Sequence, residues 1–152
     1  MPSFQVLRGG PPEGFASSED EEYNVPRAML AAFDIVGFVP VRDFKKARAF
    51  YEGVLGLKLT SEDSFAIAID ANGIMLRLTK VGNFTSAQFT ILGWQVPAIE
   101  QAVTELRERG VVFMRVPGLV QDDLGIWAAP SGARVAWFKD PDGNTLSVSQ
   151  HV

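Results

Sequence analysis

The sequence predicts an α+β fold: two β-α-β-β-β units whose strands form a curved, cup-like mixed sheet. Three observations predict it. Residues 44–55 and 97–109 each place apolar side chains at helical spacing. Each helical stretch follows one strand-like run and precedes three, which sets the units at 33–80 and 88–150. The last two strands are tied by Asp140-Pro141-Asp142-Gly143-Asn144. There proline presets φ, glycine supplies positive φ, and Asp and Asn bond their own backbone.

The bulk composition narrows the function classes. A chain of 152 residues with 47% apolar content is enough for one domain with a real core. No cysteine is present, which excludes disulfides, thiolate nucleophiles and Cys-based metal sites. The single histidine, His151, leaves no material for a multi-His metal site. A net charge of -4 gives no basic footprint, so no nucleic-acid partner is expected. No apolar run approaches the roughly 20 residues of a membrane span, so no membrane partner is expected either. The N-terminus lacks the basic start and apolar core of a secretory signal, and a cytoplasmic location is expected.

Residues 1–30 differ from the rest. Gly9-Gly10-Pro11-Pro12 breaks structure, and Ser17-Ser18-Glu19-Asp20-Glu21-Glu22 is a solvated acidic run. The segment holds five acids and two bases, leaving 13 of the 18 acids and 12 of the 14 bases to the remainder. The acidity therefore belongs to this segment, which reads as a flexible extension ahead of one domain over 31–152.

The first unit opens with a strand over 33–41. Asp43 is a good N-cap for the helix that follows, whose apolar face is Phe44, Ala47, Phe50, Tyr51, Val54 and Leu55. Gly56 stands where a C-terminal cap is wanted. Strands follow over 57–60, 65–69 and 74–79, the last two joined by the hairpin signal Asn72-Gly73. The second unit starts with a strand over 89–96. Pro97 sits at a helix start, Ile99, Ala102, Val103 and Leu106 make one apolar face, and Gly110 ends the helix. Glu105 and Arg109 are spaced to pair at i,i+4. A strand over 111–116 comes next. Residues 118–132, holding Trp127, are a loop over a pocket or a short extra hairpin.

Val41-Arg42-Asp43, then Phe50-Tyr51-Glu52-Gly53-Val54-Leu55-Gly56-Leu57, then Phe138-Lys139-Asp140-Pro141-Asp142-Gly143-Asn144 resemble the vicinal oxygen chelate superfamily. That group contains lactoylglutathione lyase, bleomycin-resistance proteins, fosfomycin-resistance enzymes and extradiol dioxygenases. The resemblance covers about residues 33–150 and implies the glyoxalase/bleomycin-resistance fold. In metal-using members four ligands, His, Gln or Glu in most cases, point into the cup. The corresponding positions here are Val36, Arg77, Ile91 and Ser147. Valine and isoleucine offer no lone pair and arginine repels a cation, so no metal and no cofactor is expected. Metal-dependent lyase, transferase and dioxygenase chemistry loses its electrophile with it.

Strand alternation assigns the inner face. Met75, Arg77 and Thr79 face the cup, with Val36 and Phe38 on the first strand and Ile91, Gly93 and Gln95 on the fifth. The resemblance adds Trp137. The expected ligand-binding set is Phe38, Met75, Arg77, Trp137 and Ser147: apolar walls with few polar points, as in a small-molecule pocket. Arg77 suits a carboxylate or phosphate. Trp137 and Phe38 suit a planar ring. The resulting expectation is a metal-free small-molecule-binding protein, a homodimer as the bleomycin-resistance relatives are. The alternative is a lyase- or isomerase-type enzyme with a metal-independent site, using Arg77 as electrophile and Asp34 or Glu62 as base.

Overall fold

A computed structural model describes residues 29–152, so the expectation for the acidic N-terminal segment lies outside the described residues but for its last two. The chain divides into two compact units, Met1–Val36 and Gly37–Val152. In the first, the described residues form a 3-10 turn, Met29–Ala32, and lead to the start of the first strand.

The second carries the doubled pattern. Its first half holds β1 (Val36–Val41), α1 (Phe44–Arg48), β2 (Lys58–Glu62), β3 (Ala66–Ala71) and β4 (Ile74–Lys80). The other half holds β5 (Thr90–Gln95), α2 (Ile99–Glu108), β6 (Trp127–Ala128), β7 (Arg134–Lys139) and β8 (Thr145–Gln150). The strands form two four-stranded sheets, ordered β1-β4-β3-β2 and β5-β8-β7-β6. The hairpins are antiparallel and β5 runs parallel to β8, so the second sheet is mixed. No helix among the described residues is long and apolar enough to cross a membrane.

Local chemistry explains the element ends. Asp43 Oδ1 accepts from the backbone N–H of Lys45 (2.8 Å) and Lys46 (3.3 Å), capping α1 as its side chain predicts. The helix continues as a π-helix over Ala49–Val54 rather than as α-helix to residue 55. Gly56 closes it at φ 75°. Asn72 and Gly73 both take positive φ, 54° and 91°, as a type I′ turn between β3 and β4 requires. The expected Glu105–Arg109 pair is not made; Arg109 Nη1 donates to the Val54 carbonyl instead, at 3.0 Å.

A strand expectation fails as well. Residues 111–116 are not a strand. The outer edge of β7 is divided: β6 pairs Arg134 and Val135, while Phe113 bridges Phe138 and Met114 N–H donates to the Trp137 carbonyl (2.8 Å). Val111 N–H donates to the Leu106 carbonyl (3.0 Å), and the far end of the segment bonds to a side chain rather than to a strand. Gln121 Oε1 accepts from Val116 N–H (2.7 Å) and its Nε2 donates to the carbonyls of Met114 (2.9 Å) and Gly125 (2.8 Å). Local side-chain bonds have displaced a ladder here. The long connection resolves as a short hairpin, Trp127–Ala128 against Arg134–Val135.

Both sheets put one face into a single core. Val39, Val41, Ile67, Ile69, Leu76 and Leu78 enter it from the first sheet, and Ala136, Phe138, Leu146 and Val148 from the second. Ala47, Tyr51, Ile99 and Val103 enter from the helices. Each fully buried large aliphatic or aromatic side chain contributes roughly 1.5–3 kcal/mol. Because side chains alternate, the opposite face of each sheet points away from this core.

The turn between β7 and β8 joins the two halves. Asp140 Oδ1 accepts from the N–H groups of Asp142 (2.8 Å) and Asn144 (2.9 Å). Its Oδ2 accepts from the Tyr51 hydroxyl (2.6 Å) and Asn144 Nδ2 (2.8 Å). Asn144 Nδ2 also donates to the Pro40 carbonyl at the end of β1 (2.9 Å). Arg42 clasps the same turn through Asp142 Oδ1 (3.3 Å) while its guanidinium lies 3.9 Å from the Phe84 ring centre. The aspartates and asparagine of this motif are therefore structural: within Gly37–Val152 they hold the last hairpin against α1's π-helical extension and the end of β1.

Candidate functional site

The first sheet turns Phe38, Met75, Arg77 and Thr79 away from the core. Leu76 and Leu78 are buried, and the residues alternating with them on β4 are not. Phe38 is 65% exposed and Met75 44%, large apolar side chains left uncovered. Arg77 shares the Met75 face of β4, half-buried, opposite Ala68 of β3. Among the described residues of Gly37–Val152 its guanidinium makes no hydrogen bond or ion pair. Its charge is felt at Asp63. Its exposed carboxylate sits below its ordinary range, chiefly because the N–H groups of Phe65 and Ala66 bond to it, and in small part because of Arg77.

The second sheet presents a different open face. Trp137 and Ser147 are direct cross-strand partners, and Gly93 of β5 lies beside Ser147 on the other side. Trp127 joins them from β6: it pairs with Val135, one alternation from Trp137, and the two indoles lie 5.9 Å apart at 33°. Trp137 walls a cleft of about 360 Å³ that Phe89, Met114, Arg115, Val116 and Thr145 also line. A second cleft, about 310 Å³, opens on the reverse side of this sheet between Leu57, Trp94, Leu106 and Phe138, with Arg109 at its mouth.

The five expected ligand-binding residues thus fall into two groups. Phe38, Met75 and Arg77 share the open face of the first sheet; Trp137 and Ser147 share that of the second. Neither the cleft at Trp137 nor the one at Trp94 is lined by both groups. Trp127 was not among the expected site residues. Its signal was the Ser131-Gly132 turn four residues on, which returns the chain as a hairpin and places Trp127 beside β7. Of the bases considered for an enzyme, Glu62 pairs with Arg48. It lies opposite Ile67, whose side chain enters the core, so it points to the helix side and away from Arg77. Asp34 is exposed ahead of β1.

The four positions that the resemblance assigns to metal ligands are Val36 and Arg77 on the first sheet, Ile91 and Ser147 on the second. Two hydrocarbons, a cation and a hydroxyl do not fit a divalent ion. Among the described residues no three His, Cys, Asp or Glu side chains gather where they can hold one.

The described architecture has many counterparts. An antibiotic-binding protein, TnmS3 from Streptomyces sp. CB03234, superposes with a TM-score of 0.63 at 24% identity, covering 82% of this chain and 99% of that one. A lactoylglutathione lyase from Agrobacterium tumefaciens gives 0.60 at 16% identity, covering 78% and 93%. A glyoxalase/bleomycin resistance protein/dioxygenase from Alicyclobacillus acidocaldarius gives 0.61 at 19% identity, covering 78% and 91%. At such identities these likenesses concern the fold. No curated protein sequence matches the chain. The model of one family matches residues 32–148, more than half of the chain. The chain belongs to the Glyoxalase/Bleomycin resistance protein/Dioxygenase superfamily.

Proposed function

We propose that this protein binds a small organic molecule without a metal, as a homodimer in which the open face of the first sheet of one copy covers the open face of the second sheet of the other. One observation carries the reading. Large apolar side chains, Phe38 at 65% exposure and Met75 at 44%, lie uncovered on one sheet, while the tryptophan pair lies on another sheet that they do not meet. Exposed apolar faces of this kind mark interaction surfaces. Pairing the faces between two copies brings Phe38, Met75 and Arg77 opposite Trp137 and Ser147, and a pocket walled by aromatics with few polar groups results. The antibiotic-binding relative supports binding as the activity. The metal positions support it too, since Val36, Arg77, Ile91 and Ser147 offer no ion-holding set.

The test has two arms. Sedimentation of the purified chain is expected to give a dimer, and Phe38→Glu is expected to give a monomer with unchanged circular dichroism. A thermal-shift screen of aromatic compounds is expected to raise the melting temperature, equally with and without a chelator. A wild-type monomer that no compound stabilises ends the proposal.

A further inference from the structure

The cleft of about 310 Å³ between Leu57, Trp94, Leu106 and Phe138 opens on the helix side of the second sheet. Trp94 of β5 lies beside Val148 of β8, and both line the cleft from the sheet. α2 and the chain leaving the π-helix line it from the other sides. Phe138 and Val148 belong to the close-packed core, so this wall is fixed. Every lining side chain is apolar except two, Glu105 and Arg109. The volume stands at the small end of pockets that hold organic ligands, roughly 300–1,000 Å³.

Glu105 and Arg109 stand one turn apart, a spacing at which opposite charges ordinarily pair. Here they are drawn apart. Arg109 Nη1 donates to the Val54 carbonyl (3.0 Å), at the end of the π-helix. A Cβ on Gly56 would lie 3.6 Å from the same Nη1, so the guanidinium lies against this glycine. Glu105 Oε2 accepts from Gln101 Nε2 (3.3 Å), one turn in the opposite direction. Nε and Nη2 of Arg109, and Oε1 of Glu105, have no partner among the described residues of Gly37–Val152. With Nη1 occupied, the Nε–Nη2 edge is left as a planar two-donor fork, the geometry that suits a carboxylate. A cation and an anion are thus held side by side, unpaired, over an apolar hollow.

We infer that this cleft binds a small hydrophobic α-amino acid as its zwitterion: the carboxylate meets Arg109, the ammonium meets Glu105, and the side chain enters among Leu57, Trp94, Leu106 and Phe138. An α-amino acid carries both charges on one carbon. It can therefore span two side chains whose Cβ atoms are about 5–6 Å apart, as they are at i,i+4. An acid without the amine would answer Arg109 and be repelled by Glu105; an amine without the acid would meet the reverse. The volume suits an aliphatic or single-ring side chain. The site lies on the side of the second sheet away from Trp137 and Ser147, so it is independent of the binding proposed above.

L-Phenylalanine, 3-phenylpropanoate and 2-phenylethylamine are matched probes, one ring carried on a zwitterion, an anion and a cation. Calorimetric titration gives their affinities. Wild type is expected to bind phenylalanine about fivefold more tightly than either of the others, a modest margin because both protein charges are exposed to solvent. The margin is expected to shrink in high salt. Glu105→Gln is expected to erase the preference over 3-phenylpropanoate, and Arg109→Gln the preference over 2-phenylethylamine. Each ratio is taken within one protein, so a change in its stability does not enter. Ala102→Leu, on the α2 wall, is expected to fill the cleft and weaken all three probes together with unchanged circular dichroism. No heat from any probe with wild type, equal binding of the three, or preferences that survive both charge variants overturns the assignment. A dimer stabilised by other aromatic compounds while phenylalanine does not bind keeps the proposed function and loses this site.

Discussion

Replacing Tyr51 with phenylalanine removes one oxygen and tests what joins the two halves of the domain. The hydroxyl donates to Asp140 Oδ2 at 2.6 Å, a charge-assisted bond between two residues that are both buried. The phenyl ring keeps its core contacts, including the edge-on packing against Phe50 at 5.2 Å, so the hydrophobic contribution hardly changes. What is lost is one of the four bonds that satisfy the Asp140 carboxylate, with a cost of about 1.5–3 kcal/mol. Against a typical total of 5–15 kcal/mol that is a large fraction. For a domain of this size it corresponds to a fall in melting temperature of about 4–8 °C. Urea unfolding followed by tryptophan fluorescence measures it. A loss below about 0.5 kcal/mol would refute the claim that this bond anchors the turn.

The same pair has a pH signature. Burial first, and the negative charge of Asp140 second, hold the Tyr51 phenol protonated far above its ordinary value near 10. In the unfolded chain it ionises at that ordinary value. Above pH 10 the unfolded state therefore binds fewer protons than the native state, and stability falls by about 1.4 kcal/mol per pH unit. Below pH 10 this contribution is complete and level. Tyr51→Phe lacks the slope, so the gap between the two proteins narrows as pH rises through 10 to 11. A gap that stays constant over that interval contradicts the burial and bonding described.

Other outcomes follow from single contacts. Phe138→Ala empties a core position that Phe50 and Phe113 both pack against, and is expected to cost about 3–5 kcal/mol in urea unfolding. Arg42→Ala removes the clasp on Asp142, which is 40% exposed at its arginine end; about 1 kcal/mol is expected, diminishing in high salt. Gly73→Ala forces a φ of 91° on a side-chain-bearing residue and is expected to cost about 1 kcal/mol or more, read as a lower melting temperature with unchanged ligand affinity. Glu62→Gln breaks only the exposed pair with Arg48 and is expected to leave ligand binding unaltered, since this side chain faces away from Arg77.

The sequence alone determined the doubled β-α-β-β-β order, the capping of α1 by Asp43, both key turns and the two faces of β4. Each of these is written in local chemistry: alternation, helical period, or a residue that one backbone conformation demands. It did not settle residues 111–116, whose apolar run reads as strand. Gln121 takes the Val116 N–H and the Met114 carbonyl, and apolar periodicity does not register a competition between a ladder and a nearby polar side chain. Nor did periodicity reveal that the two sheets share one core through their helix sides, which separates Phe38, Met75 and Arg77 from Trp137 and Ser147. Alternation says which residues share a face, but the face another sheet covers depends on how helices and strands pack in three dimensions. Tertiary packing alone brought Trp127 onto Trp137 and set the Ser147 hydroxyl against Gly93, because both depend on register between strands far apart in the chain.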